Sequence, residues 1–392
     1  MKLAHLADAH LGFRQYYRQT SNGINQREAD VANAFRRAID GIIAARPDAV
    51  LIAGDLFHSV RPTNQAILFA FGELQRLRHA LPDAPVVLIA GNHDTPRSTE
   101  TGTILKLFET LGVDVVPDDA RRLSYPRLDL SILAVPHGAL FQVPRPDLEP
   151  AGPEKRQVLL IHGKHEGLPY AEHGMAEYSG ALLTDLDLKR GNWNYVALGH
   201  YHVRMEVLPH VWYSGALDYV SSNPWGELKD ENFRRVPGKG WLLVDVDSGK
   251  AEFQPVPGAR RVMDLDPIQA AGMTATEIDA EIAERVAGIS GGLTDQVARL
   301  VAYNVPRHLG RELNHAVIRT LKSQALHFQL DLRRPEYQRE VGLGEGGRRQ
   351  ALPEIVTGYL TKHPLPPDLD RGTFVKLGLE VLAEAQGEAP ER

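Results

Sequence analysis

Cysteine is absent from this 392-residue chain. That excludes disulfides and thiolate metal sites, and leaves imidazole, carboxylate and amide oxygen as metal ligands. Long apolar runs are missing too. No stretch approaches the roughly 18 consecutive apolar residues of a membrane span, and the opening MKLAHLADAH lacks the charged-apolar-small order of a signal peptide. A cytoplasmic protein with no membrane partner is the expectation. Basic excess is also lacking: 44 Lys+Arg against 50 Asp+Glu leaves a net charge of −6. No global positive field advertises a nucleic-acid partner, so any such partner would rely on local basic loops and on metals. What is present is enough for an enzyme. A hydrophobic content of 43% supports real cores, and the length suggests two or three domains.

Five short apolar runs in the first half each end on a metal-capable side chain. Residues 2–7 run into Asp8 and His10, and residues 49–54 into Asp55. Residues 86–91 end at Asn92 and His93, residues 157–161 at His162, and residues 195–199 at His200 and His202. Each run reads as a strand buried on both faces. Since sites in α/β sheets lie at the carboxyl ends of strands, these groups should converge as a ligand set for two cations. His5 lies inside the first run and reads as a core histidine. His165 is the rival to His162, which is preferred because it ends the apolar run. His137, ending another strand, is a candidate cleft residue.

The pattern to about residue 160 alternates strand and helix, with helices expected over 28–45, 63–79 and 99–111, hence βαβ units. Past His202 come short strands, 211–213 and a hairpin of 240–247 with 250–256, expected to form a second sheet packed on the first. A boundary near 255–260 precedes a smaller α+β unit. There, strands are expected at 261–265, 296–303 and 325–332, and helices at 274–287, opened by a Thr274–Glu277 capping box, and at 309–324. Residues 333–350, with four glycines, read as a linker. Helices at 353–360 and 372–386 complete the chain.

The series Asp8-Ala-His10, Gly54-Asp55-Leu-Phe-His58, Gly91-Asn92-His93-Asp94, His162 and Gly199-His200-Tyr-His202 resembles the calcineurin-like metallophosphoesterase superfamily. Any one motif is weak; five in order over residues 1–250 are specific. The resemblance implies an α/β fold: a two-sheet metallophosphoesterase sandwich flanked by helices. It implies Asp55 as the bridge between two metals, with Asp8, His10 and His202 completing one and Asn92, His162 and His200 the other. Manganese is favoured, with iron or zinc as alternatives. His93 would assist at the transition state, with Asp94 either orienting it or capping a turn.

Within that superfamily the chain resembles SbcD-like DNA-repair nucleases. His58 matches a substrate-positioning histidine there. The loop holding Arg14, Tyr16, Tyr17 and Arg18 interleaves cations with aromatics, as DNA contact requires. Segments 212–216 and 239–241 resemble the end of the nuclease core. Segments 304–312 and 325–333 look like the capping domain, where Arg307, His308 and Arg311 either face phosphate or solvate a helix start. The resemblance implies a nuclease domain at 1–258, a capping domain at 259–334, and a linker with C-terminal helices at 335–392. It also implies DNA as substrate, a homodimer built on the apolar helices around Ile67–Leu77 and Ile104–Phe108, and an SbcC-type SMC-like ATPase gripped by the terminal helices. The alternatives are a phosphoesterase acting on nucleotides or other small phosphodiesters, and a DNA-end-binding scaffold.

Overall fold

In the computed structural model the described residues are 1–96, 102–168, 181–189, 192–236, 238–258, 260–335, 352–363, 365 and 369–387. They fall into two compact units, Met1–Arg334 and Pro335–Arg392.

The larger unit is built on two six-stranded sheets. The first runs, in spatial order, Lys250–Pro255, Gly240–Asp245, Lys2–Leu6, Ala49–Ile52, Val86–Ile89 and Asp114–Val116. The last four strands are mutually parallel, with Leu3 opposite Ala49 and Val50 opposite Val86. The second sheet runs Met205–Leu208, Val211–Tyr213, Tyr195–Gly199, Arg156–His162, Leu130–Val135 and Arg121–Tyr125. Its central pair is parallel and in register at Gly199 and His162.

Side-chain alternation assembles the layers. Leu3, Leu51, Val87 and Ile89 of the first sheet meet Ile132, Val158, Leu160 and Tyr195 of the second in one buried cluster. The opposite face of the first sheet, with Ala4, Leu6, Val50, Ile52 and Leu88, packs on Phe35, Ile39, Leu74, Leu77 and Phe108. These come from the helices Gln26–Ala45 and Asn64–Ala80 and the 3-10 helix Ile104–Leu111. His5 is fully buried, bonded to the Tyr195 hydroxyl (2.9 Å) and the Leu198 carbonyl (3.2 Å), and burial lowers its pKa to about 3. It is a neutral core histidine.

Three expectations need correction. The 240–255 hairpin joins the first sheet, because Gly240–Asp245 pairs antiparallel with Lys2–Leu6. The second sheet instead starts at Arg121, so the five ligand-bearing strands divide three and two between the sheets. The expected helix at 309–324 is two helices, Arg307–Glu312 and His315–Gln324. Leu313 is extended between them, and the Asn314 side chain caps the second by accepting from the Val317 amide. The helix expected from residue 99 is a 3-10 turn beginning at Ile104, while residues 97–101 lie outside the described residues.

Residues 262–332 form a four-stranded sheet centred on Val297–Tyr303, with a core of its own containing Ile278, Ile282, Leu300 and Phe328. The Thr274 capping box is present as expected. This sheet meets the sandwich through a small apolar cluster of Trp225, Val262, Val297 and Leu326. Polar contacts add to it, including Trp225 to Gln329 (3.2 Å) and Arg260 to Asp30 (2.8 Å).

The smaller unit is a pair of helices, Leu352–Lys362 and Arg371–Gly387. Arg371 donates to the carbonyls of Leu360 (3.2 Å) and His363 (2.9 Å). Leu352, Tyr359, Leu377 and Val381 remain exposed on it. Most of the expected linker lies outside the described residues. Among the described residues, no helix is long and apolar enough to cross a membrane.

One ionic node underlies the larger unit. Arg27, 1% exposed, donates to Asp218 (3.0 Å), to Asp30 (3.3 Å) and to the Tyr219 carbonyl (2.9 Å). Removing one member of a buried ion pair strands its partners, which costs about 3–5 kcal/mol. Arg27→Ala should therefore lower unfolding stability by about that amount, read from urea denaturation of the metal-free protein. A shift below about 0.5 kcal/mol would show that water already satisfies these carboxylates.

Candidate metal centre

The strand ends turn sharply where the chemistry lies. Asp8, His10, Asp55 and His200 all have positive φ, at 53°, 47°, 51° and 109°. Such backbone is uncommon for residues other than glycine and costs about 1–3 kcal/mol each, so it persists only where surrounding structure fixes it. Here adjacent loops hydrogen-bond to one another. The Asp8 amide donates to the Gly54 carbonyl (3.1 Å), and those of His10 and Leu11 donate to Asp55 and Leu56 (both 2.9 Å). Glycine is needed where these loops touch. A Cβ at Gly91 would lie 2.1 Å from Asp55 Oδ1, and one at Gly199 would lie 1.8 Å from the Ala53 carbonyl oxygen.

All seven expected ligands come together around Asp55. Its Oδ2 lies 3.7 Å from His10 Nε2 on one side and 3.4 Å from His162 Nε2 on the other. Asp8, His10 and His202 form one group whose ligand atoms lie within 4.8 Å of one another, and Asp8, Asp55 and His162 form a second. Asn92 Oδ1 completes the His162 side, 2.9 Å from His162 Nε2 and 3.0 Å from His200 Nδ1. His162 Nδ1 donates to the Ala53 carbonyl (2.8 Å), which leaves Nε2 facing two oxygens. A lone pair facing two acceptors is repulsive unless a proton or a cation lies between them. His10 Nε2 is buried without a hydrogen bond. The donor set therefore fits divalent cations of the imidazole- and carboxylate-binding kind.

The electrostatics agree. Burial pushes the Asp55 carboxyl up, but His162 and His10 outweigh it and hold its pKa well below the usual range. Burial disfavours charge on His162, yet Asp55 and Asp8 raise its pKa to about 9. Burial raises Asp8 to about 6 and lowers His10 far below its ordinary value.

His93 and His58 sit at the edge of this centre. The His93 amide donates to Asp55 Oδ1 (2.8 Å), and His93 Nδ1 lies 2.8 Å from the His58 carbonyl oxygen. His58 Nδ1 is 3.2 Å from His10 Nδ1, and its ring stacks 5.2 Å from that of His93. The contacts described for the Asp94 carboxylate are to backbone amides. Buried, with its pKa raised to about 7 by burial and by Asp55, it accepts from the amides of Leu56 (3.1 Å), Phe57 (3.0 Å) and Gly91 (3.1 Å). It ties the second and third ligand loops together. His137 is buried with its ring 5.9 Å from that of His162. His165 is also buried, but it bonds to Asp185 (2.9 Å) instead of entering the Asp55 centre.

Sequence reasoning missed two residues. Glu227 Oε1 lies 3.4 Å from His202 Nδ1, and Lys239 donates to the His202 carbonyl (2.9 Å) and pairs with Glu227. Burial raises Glu227, but Lys239 and His202 prevail and lower it to about 2. A buried Glu 25 residues past its histidine carries no recognisable spacing.

The basic loop is less free than its sequence suggests. Arg14 pairs with Glu28 (2.7 Å), Tyr16 stacks on His327 at 4.0 Å, and Arg18 pairs with Asp295 and donates to the Ser323 carbonyl (2.6 Å). Tyr17 is fully exposed. Arg307, His308 and Arg311 are exposed on their short helix.

The family model for calcineurin-like phosphoesterases matches residues 1–204, just over half of the chain. Among curated proteins, the chain is 32% identical over 264 residues to a protein named DNA double-strand break repair protein Mre11 from Sulfurisphaera tokodaii, covering 65% of this chain and 62% of that one. It is 30% identical over 258 residues to the protein of the same name from Methanococcus maripaludis, covering 63% of each. The Methanocaldococcus jannaschii counterpart is 27% identical over 267 residues, covering 65% of each. The chain thus spans less than two thirds of the length of these relatives.

Two outcomes are expected of the metal-free protein. His162 carries a proton up to pH about 9, so cation uptake at pH 7 must expel it. Apparent Mn²⁺ affinity should fall as pH falls from 9 to 6. Calorimetric heats at pH 7 should also vary with the buffer's ionisation enthalpy; identical heats in two such buffers would contradict this. Asp55→Ala should lose cation binding on both sides, whereas Asp8→Ala should weaken the His10–His202 side first. Metal analysis of the two variants tells these apart.

Proposed function

The chain belongs to the calcineurin-like phosphoesterase family, and on that premise we propose that it is a dinuclear-metal DNA nuclease of the SbcD-like kind. The observation that carries the reading is Asp55, a buried carboxylate placed between a His10 side and a His162 side, with His93 beside it. Two divalent cations, Mn²⁺ for preference, would be held by Asp8, His10 and His202 and by Asn92, His162 and His200, with Asp55 shared. When bound they supply positive charge for an in-line displacement at phosphorus and lower the pKa of the attacking water.

The chain's own residues do the rest. Water, having lost one proton to solvent, forms the new bond to phosphorus, the bond to the leaving oxygen breaks, and that oxygen must gain a proton. We assign that proton to His93, in its imidazolium form, because it sits beside Asp55. Its ring is anchored with Nδ1 2.8 Å from the His58 carbonyl oxygen, and an imidazole whose ordinary pKa lies near neutrality suits proton transfer. His58, linked to His10, positions the substrate and holds the His93 ring.

DNA is the substrate we favour, for two reasons. The relatives are named as double-strand break repair proteins. A groove of about 810 Å³ lies between the loop of Arg14–Arg18 and residues 322–328, lined by Arg14, Arg18, Lys322 and the exposed Tyr17. Arg14 remains over half exposed despite its pair with Glu28, so donors are left for phosphate. The activities expected are exonuclease on duplex ends and endonuclease on single strands or hairpins. Residues 1–258 would form the nuclease domain, 259–334 the cap and 335–392 the partner-binding tail.

A homodimer would bury Leu68, Ile67, Phe71 and Leu107, which are exposed or half-buried on two neighbouring helices. The helix pair at 352–387, with Leu352, Tyr359, Leu377 and Val381 exposed, would receive an SbcC-type SMC-like ATPase.

Labelled hairpin and linear duplex DNA with Mn²⁺, run beside a generic phosphodiester, test the reading. Cleavage of the small ester alone would assign the enzyme to small phosphodiesters, and binding of DNA ends without cleavage would make it a scaffold. Within the nuclease reading, His93→Ala should keep metal content and DNA affinity while lowering turnover by about 10²–10⁴. Parallel loss of metal would make His93 a ligand.

A further inference from the structure

We propose that Glu227 is a positioning residue for the metal centre: it fixes the His202 ring so that Nε2, and not Nδ1, is presented to Asp8 and His10. The inference rests on the metal-centre reading above. His202 Nδ1 lies 3.4 Å from Glu227 Oε1, and a carboxylate at Nδ1 selects the tautomer with its proton there. That leaves the Nε2 lone pair for the group formed with Asp8 and His10.

Glu227 is itself held. It is 1% exposed, and its other oxygen pairs with Lys239 Nζ, which also reaches Glu231 (2.9 Å) and the His202 carbonyl (2.9 Å). The lysine sits 4.5 Å from the centre of the Tyr219 ring, and the Tyr219 hydroxyl donates to Glu231 (2.9 Å). Two carboxylates one helical turn apart thus share one buried cation, which keeps the oxygen facing His202 an acceptor.

The helix that carries them is also fixed. Pro224–Arg234 starts at the Asn223 cap, with Trp225 packed on Val262, Val297 and Leu326 and donating to Gln329 (3.2 Å). A helix locked at its first turn by the 262–332 sheet can hold Glu227 at a defined distance from the ligand loop.

Glu227→Gln, which keeps the shape and removes the charge, tests this in the full chain beside Glu231→Gln. The second variant perturbs the same lysine without touching His202. Calorimetric Mn²⁺ titration should show one class of site weakened 10- to 100-fold in Glu227→Gln, with the other class unchanged and Glu231→Gln like the parent. Equal weakening in both variants, or none in either, would overturn the proposal. A second readout needs neither metal nor substitution. Histidine ¹⁵N shifts of the metal-free parent, followed to alkaline pH until the His202 ring is neutral, should show its one proton at Nδ1, with the resonance assigned by His202→Gln. Protonation at Nε2 would overturn the assignment even if Glu227→Gln fails to fold. Should the parent take up no Mn²⁺, the metal reading falls, while the ¹⁵N shifts still decide what Glu227 does.

Discussion

A single buried carboxylate organises this molecule. Asp55 lies almost wholly out of solvent, where an isolated negative charge would be expelled or neutralised. It stays ionised because imidazoles approach from both sides and because the His93 amide donates to it. The surroundings that keep it charged are the same ones a pair of cations would use. Burial makes the opposite demand of Asp8 and His10, which are driven toward their neutral forms. The centre therefore holds groups whose protonation states have been pushed apart, as sites built for ions and proton transfer are.

Bringing those groups together takes unfavourable backbone. At two strand ends of one sheet and one of the other the chain turns within a residue or two, and Asp8, His10, Asp55 and His200 adopt conformations that usually go to glycine. The inter-loop hydrogen bonds and the Asp94 carboxylate, which binds three amides across two loops, offset that strain. Gly91 and Gly199 allow the closest approaches. Four residues in this backbone region meet at the mouth of the sandwich, while the layers behind it are ordinary apolar packing. The rigid part of the protein lies beneath the reactive part.

The 262–332 sheet is attached differently. Among the described residues one small apolar cluster, four buried residues with Tyr16, Tyr219 and Leu228 packed against them, joins it to the sandwich, beside ion pairs, hydrogen bonds and ring contacts. Such a junction resembles a transient interface more than a core. The loop read as a cation-and-aromatic surface for nucleic acid also serves this junction. Arg18 and Tyr16 are partly committed within the chain, and Tyr17 and the outer face of Arg14 are what the loop offers outward.

Short apolar strands ending on Asp, Asn and His are visible in the sequence because the two ingredients are local: β-branched and aliphatic runs make buried strands, and the polar residue that ends a run has only the sheet edge to occupy. The helices Gln26–Ala45, Asn64–Ala80 and Ala275–Ala287, the Thr274 capping box and the core placement of His5 were legible for the same reason. The partition of those strands was not. Gly240–Asp245 joins the first sheet because it pairs with Lys2–Leu6 at the other end of the domain, and nothing in a run's own residues names its neighbour. The break at Leu313–Asn314 depended on a cap that competes with helix continuation. Glu227, Lys239 and the amide contacts of Asp94 came only from the folded chain. Their work is done through burial and through charges hundreds of atoms away along the backbone, and burial exists only once the layers have closed.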